Sequence, residues 1–204
     1  MDHYHHFTQL RQHETEGCDY IILHRTGTSG LLVMAPHGGG IEPGTGDIGD
    51  AVAGQHHAFY CFKGIKKTGN RILHITSNRF DEPLGVAMVR EASWVLTLHG
   101  CRDASPVIWV GGRAMAPGDH IIDCLQQSGF RAHRCDRPGL RGLHPDNICN
   151  RGRHKAGVQL EISAGLRNML FADLHKRSIR ARTPLFHRFV DTLAKTLQEC
   201  GTPN

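Results

Sequence analysis

The sequence predicts a single-domain α/β fold, a mixed and largely parallel sheet flanked by helices. Three observations carry this. Short apolar runs of strand length alternate with segments of helical periodicity. No linker, internal repeat or low-complexity stretch divides the 204 residues, so one domain over 1–204 is expected. With 39% hydrophobic and 21% charged residues, the chain has enough apolar material for one buried core.

The elements follow in order. Segments 20–24 (YIILH) and 31–35 (LLVMA) read as strands, with the turn-forming RTGTSG between them. Glycines 38–40 open a loop that carries Glu42. A short helix at 46–53 follows, weakened by its glycines. Segments 57–62 and 72–75 read as strands, and TSNRFDEP at 76–83 as a loop ahead of a helix at 84–92. Strands are expected at 93–98 and 107–110, then a helix at 117–127 with Pro117 near its first turn and Gly129 as its stop. A strand at 130–134 leads into a loop rich in Gly, Pro and Arg at 135–155, and 158–162 is the last strand. The final helix is the clearest. Thr183 can cap it, Pro184 suits its first position, and Leu185, Phe186, Phe189, Val190, Leu193 and Leu197 share one face, which reads as core packing. Residues 1–17, with the cluster His3, His5 and His6, are expected to be weakly ordered, as terminal segments often are.

Composition narrows the class. No run of eighteen apolar residues is present, so no membrane span is expected. The start MDHYHH lacks the basic and apolar regions of a signal peptide, which points to a cytoplasmic setting. Seven cysteines, an odd count with no C-x-x-C pair, argue against a disulfide framework and a cysteine-zinc site. Cys149 reads as a small buried thiol, since no dedicated base accompanies it. The net charge of +5, with 24 Lys and Arg against 19 Asp and Glu, suits a polyanionic or carboxylate-bearing ligand. Nucleic acid is one such ligand, but aromatics are 6% and no RNA-recognition or helix-turn-helix signature appears. Of the basic stretches, the one through Lys176, Arg177, Arg180 and Arg182 reads as a solvated face.

Three apolar runs deliver residues that can bind or serve a metal. LLVMA runs into Pro36-His37 and on to Glu42; WVLTL runs into His99-Gly100; VQLEI carries Glu161 within it. Open α/β sheets place their sites at the carboxyl ends of their strands. Two histidines and one carboxylate are a common ligand set for catalytic zinc, with a position left for water. Glu161 alternates with Leu160 and Ile162, so it should face away from their apolar surface, and a carboxylate there needs a partner or a function. It is the candidate base. Each residue also has an ordinary reading: a hydrogen-bonded histidine at a strand end, a loop carboxylate, a glutamate paired with a structural arginine. His-x4-Glu spacing does not by itself decide between them.

The motifs PHGGGIEPGT (36–45), LHITSNRFDEP (73–83), LHG (98–100), PDNICNR (145–151) and GVQLEIS (157–163) together resemble the poly-γ-glutamate hydrolase family of phages and bacteria. The resemblance runs in order from about Asp19 to Arg167. It implies a truncated zinc-carboxypeptidase-like fold, with Zn2+ held by His37, Glu42 and His99 and with Glu161 as general base. The wider carboxypeptidases hold a substrate carboxylate with an Asn-Arg pair, which puts Asn150 and Arg151 in that role here, with Arg79 as a further candidate. One difference is visible: the wider carboxypeptidases carry His-x2-Glu where this chain has His-x4-Glu. His74 and Asp81 also lie in the shared motifs and read as loop hydrogen-bonding residues.

The expected activity is zinc-dependent hydrolysis of γ-glutamyl amide bonds, with an anionic γ-glutamyl polymer as substrate and action outside the cell after lysis if the gene is viral. The alternatives are a zinc-dependent deacylase or amidase of small N-acyl amino acids or peptidoglycan γ-glutamyl links, and a non-enzymatic nucleic-acid-associated protein.

Overall fold

In the computed structural model, which describes residues 2–176 and 180–200, seven strands form one sheet. They are β1 (Tyr20–Arg25), β2 (Leu31–Gly39), β3 (Ala58–Gly64), β4 (Trp94–Cys101), β5 (Ile108–Gly112), β6 (Ala132–Arg134) and β7 (Val158–Ser163), in the spatial order β1-β3-β2-β4-β7-β5-β6. The central four, β3, β2, β4 and β7, run parallel. β1 pairs antiparallel with β3, β5 antiparallel with β7, and β6 parallel with β5. The sheet is therefore mixed and largely parallel. A two-stranded ribbon, β8 (Phe171–Ala172) with β9 (Ala181–Arg182), lies apart from it.

Helices cover both faces, as the alternating sequence pattern requires. On one face Leu31, Val33, Leu96, Leu98, Leu160 and Ile162 pack against α2 (Thr45–Ala53), α4 (Met115–Gln127), α5 (Ala164–Leu170) and α6 (Pro184–Glu199). Helix α6 begins as expected, with Thr183 capping the Phe186 N–H and Pro184 in the first turn, and its stripe Phe186, Phe189, Val190, Leu193 and Leu197 is buried. On the other face Leu32, Met34, Tyr60, Phe62 and Val95 meet α1 (Phe7–Leu10) and α3 (Pro83–Glu91).

Two expectations are corrected. Segment 72–75 is not a strand: Asn70–Leu73 is a 3-10 turn, started by Gly69 at φ +73° and fastened by the Asn70 amide donating to the Lys66 carbonyl. β1, not this segment, takes the place beside β3 in the sheet. The RTGTSG segment joins β1 to β2 as expected, and β3 lies between these two strands in the sheet. Residues 2–17 are held in place: Tyr4, Phe7 and Leu10 are buried, and the Asp2 carboxylate accepts from the Thr76 N–H at 2.7 Å. Of the basic cluster near the C-terminus, Arg180 pairs with Asp47 and Arg182 lies over the Phe186 ring, while Arg177 falls outside the described residues.

One irregularity matters for the site. Along β2 the pairing with β3 runs Ala35↔Cys61 and then Gly38↔Lys63, so β2 carries one extra residue at Pro36-His37. Strand side chains alternate between faces, so the odd-numbered run Leu31, Val33, Ala35 would place residue 37 in the apolar core beside α2. The bulge reverses that parity and turns His37 to the opposite face. The β2–β4 ladder ends at Met34↔Thr97, and Pro36 has no N–H with which to extend it. Beyond that point the two strands part and a crevice opens. Gly39 leaves the strand at φ +68°, where an added Cβ would lie 2.3 Å from the Gly64 carbonyl oxygen.

Glu82, which sequence pattern did not single out, anchors the second layer. Buried at the start of α3, it accepts from the Leu84 and Gly85 N–H groups and from the Tyr60 hydroxyl at 2.6 Å. Glu82→Ala removes a helix cap and strands a buried phenol, a loss of about 2–4 kcal/mol in denaturant unfolding, whereas exposed Glu91→Ala should change stability by less than about 0.5 kcal/mol.

Candidate metal centre

The adjacent parallel strands β2, β4 and β7 bring His37, His99 and Glu161 to one sheet edge and one face. His99 and Glu161 are register partners on β4 and β7, opposite the core-facing Leu98, Leu160 and Ile162. They line a cleft of about 560 Å³ together with Glu42, His74, Ser77, Arg102 and Gln159. Glu42 arrives from the glycine-rich loop after β2, its N–H donating to the His37 carbonyl at 2.9 Å.

Donor atoms of three residues converge. His37 Nδ1 lies 3.1 Å from His99 Nδ1 and 3.4 Å from Glu42 Oε1, and His99 Nδ1 lies 3.7 Å from Glu42 Oε2. A tetrahedral ion with bonds of about 2.0–2.1 Å sets its ligands roughly 3.3 Å apart, so these separations bracket that edge. The tautomer of His37 follows from its surroundings. Its Nε2 donates to the Ile75 carbonyl at 2.8 Å, so in the neutral ring Nδ1 presents a lone pair to the centre. His99 turns Nε2 toward Ser77 Oγ at 3.4 Å and Nδ1 inward. Two imidazole nitrogens and a carboxylate oxygen aimed at one point are a donor set that suits a divalent cation, and these three residues could hold one.

Electrostatics separates the two carboxylates. Burial raises the pKa of Glu42, but His37, His99 and the Gly100 N–H, which donates to Oε2 at 2.9 Å, outweigh it and bring the group down to about 2. Glu161 is pushed well above the ordinary carboxylate range, first by burial and then by the Glu42 charge; one donor, the Gln159 amide at 3.1 Å, works the other way. Burial drives His99 down to about 3, with His37 and His74 acting in the same direction. For His37, burial lowers the pKa, and the charge and hydrogen bond of Glu42 with the Ile75 carbonyl reverse the net direction. Before an ion enters, one proton therefore sits most easily on His37, against Glu42.

Surrounding groups hold the ligands still. Buried Arg167 donates to the carbonyls of Pro43, Cys101 and Ile162 at 2.8, 3.0 and 3.0 Å, which straps the ends of β4 and β7 to the Glu42 loop. Gly100 makes room for that guanidinium, since a Cβ there would sit 2.7 Å from its central carbon. His74 stacks on His37 with ring centroids 4.0 Å apart and is itself fixed by Asp2, 2.7 Å from its Nδ1. Asp2 and Arg167 gave no sequence signal, because both act through contacts remote along the chain.

The residues expected to bind a carboxylate, Asn150, Arg151 and Arg79, do not line the cleft. Asn150 is 1% exposed, and its amide is saturated: Nδ2 donates to the Gly142 and His144 carbonyls, while Oδ1 accepts from the Gly157 and Arg113 N–H groups. Arg151 spends its guanidinium on the carbonyls of Asp146, Phe80, Asn78 and Ser77, which clamps the Ser77 loop to the 146–150 loop. Arg79 turns to Asp2 at 3.1 Å and to His5, away from the cleft lining. Asp81 accepts the Phe7 N–H at 2.6 Å, a loop contact as expected. The cations that line the cleft are Arg102, exposed and without a hydrogen-bond partner among the described residues, and Arg137, paired with Asp103 at 2.7 Å and lying over Trp109. Cys149 is buried, and burial pushes its thiol up to about 12, as suits a packing residue.

Comparison with known proteins places this geometry. The family model described as poly-gamma-glutamate hydrolase matches residues 4–192. The UPF0714 protein YndL of Bacillus subtilis (strain 168) is 33% identical over 201 residues, covering 97% of this chain and 78% of YndL. A solved bacteriophage poly-gamma-glutamate hydrolase superposes with a TM-score of 0.92 at 31% identity, covering 98% of each chain. A zinc-free apo structure of YndL superposes with a TM-score of 0.91 at 33% identity, covering 98% of this chain and 99% of that one. Sequence and fold agree along almost the whole chain, and the protein belongs to the poly-γ-glutamate hydrolase family.

Proposed function

We propose that the chain hydrolyses γ-glutamyl amide bonds of poly-γ-glutamate, with zinc held by His37, Glu42 and His99 and with Glu161 as the proton carrier. The observation that carries this reading is the convergence of two imidazole Nδ1 atoms and a low-pKa carboxylate beside a second carboxylate of raised pKa, in one cleft. That a relative was solved in a zinc-free state supports zinc as the ion. Bound there, zinc supplies a Lewis acid for the scissile carbonyl and for the attacking water.

The residues then divide the work. Glu161 has one oxygen tied to Gln159, which leaves the other to the cleft. Its raised pKa suits it to take a proton from the attacking water and pass that proton to the leaving nitrogen as the amide C–N bond breaks. Arg102 and Arg137 stand where α-carboxylates of the polymer would lie. A second cleft, of about 490 Å³, shares Glu42, His74, Gly100 and Arg102 with the first and adds Arg71, so open space extends on both sides of the centre. Two adjoining clefts, with Arg102 and Arg137 lining one and Arg71 and Arg102 the other, favour a long anionic substrate over a small N-acyl amino acid.

Metal content and turnover should respond separately. Elemental analysis of purified protein should find metal bound that His99→Ala lacks, and chelation should abolish depolymerisation, followed as falling polymer length; equal metal in both proteins would remove the assigned centre. Glu161→Gln should keep its metal while kcat drops by about 10²–10⁴, and an undiminished rate would take Glu161 out of the proton transfer. The arginines should separate too. Arg102→Ala should raise KM with thermal stability unchanged, whereas Arg151→Lys should lower the melting temperature, because an ammonium cannot reach four carbonyls in one plane.

A further inference from the structure

A second group of metal-ligating side chains stands on the opposite helical layer and shares no residue with the cleft. His120 and Cys124 are one turn apart on α4, an i, i+4 spacing that puts both on one helix face. Glu199, the last residue of the packed helix α6, reaches across to them. His120 Nε2 lies 3.1 Å from Glu199 Oε2 and 3.8 Å from Cys124 Sγ, and the three donor atoms all fall within 4.8 Å of one another. Around tetrahedral zinc the nitrogen–oxygen and nitrogen–sulfur edges are roughly 3.3 and 3.6 Å, from bonds of about 2.0–2.1 Å to nitrogen or oxygen and about 2.3 Å to sulfur.

His120 and Glu199 are partly exposed, so an ion from solvent can reach them. The groove between α4 and α6 carries Asp123 and Asp191, which offset Arg188 and Lys195. A metal ion would draw on all three donors at once, which their pairwise contacts do not.

We propose that His120, Cys124 and Glu199 form a second, zinc-preferring site that fastens the C-terminal turn of α6 to α4. As the sulfur–metal bond forms, the Cys124 thiol releases its proton to solvent. The thiolate and imidazole pair selects a borderline-soft ion, so zinc is preferred over magnesium or calcium. The site is independent of the hydrolytic reading, since its ligands touch neither the cleft nor the groups proposed to act in it.

Cobalt(II) titration of the full chain under a non-thiol reductant tests this directly. The His37, Glu42 and His99 set contains no sulfur, so a thiolate-to-cobalt charge-transfer band in the near ultraviolet reports the second site alone. The expected result is that band in the unmodified protein, its persistence in His99→Ala, its loss in Cys124→Ser and at least tenfold weaker cobalt binding in His120→Ala, with cooperative unfolding retained in every variant. No band at saturating cobalt, or a band that survives in Cys124→Ser, overturns the proposal.

Discussion

One extra residue in β2 decides which side of the sheet His37 serves. With regular alternation from Leu31, Val33 and Ala35, that imidazole would enter the apolar layer beneath α2, where nothing could satisfy it. The bulge at Pro36-His37 turns it onto the face that already displays His99 and Glu161. The cost is small, because Pro36 has no N–H to lose from the ladder and the parting of β2 from β4 is what opens the cleft. Everything that follows at the centre depends on this parity change: the Ile75 carbonyl that fixes the His37 tautomer, the stacked His74, and the short approach of two Nδ1 atoms.

Around that point the fold gives two glutamates opposite characters with few means. Glu42 sits among imidazoles and a backbone N–H and stays charged; Glu161 sits among strand residues with one amide donor and is held toward its neutral form. Pairs of carboxylates whose environments push their pKa values apart are how active sites assign ligand and acid–base roles. Arg167, buried between them and bound only to carbonyls, keeps the strand ends in place without adding an ion pair that would erase the difference.

Much of this was legible in the chain. Period-two alternation identified Glu161 as facing away from Leu160 and Ile162, and the short apolar runs located His37 and His99 near strand ends. The capped, striped helix at the C-terminus was readable because its signals are local. What failed was non-local. Nothing near Asn150 or Arg151 in sequence shows that loop carbonyls 70 residues away would consume the guanidinium; Phe80 is 71 residues distant. The segment 72–75 has strand composition, but β1, distant in sequence, takes the place beside β3, and Asn70–Leu73 turns instead. Residues 2–14 looked like a loose tail because their anchors, His74 and Thr76 among them, lie far along the chain. The bulge itself leaves only a proline as its trace.

The most direct measurement is anomalous diffraction at the zinc absorption edge from crystals of the metal-loaded protein. The expected result is a peak bonded to Nδ1 of both His37 and His99 at about 2.0–2.1 Å and to a Glu42 oxygen, with Glu161 nearby but not coordinating. A peak bound through Nε2, one ligated by Glu161 in place of Glu42, or no peak between β2 and β4 would contradict the centre as described.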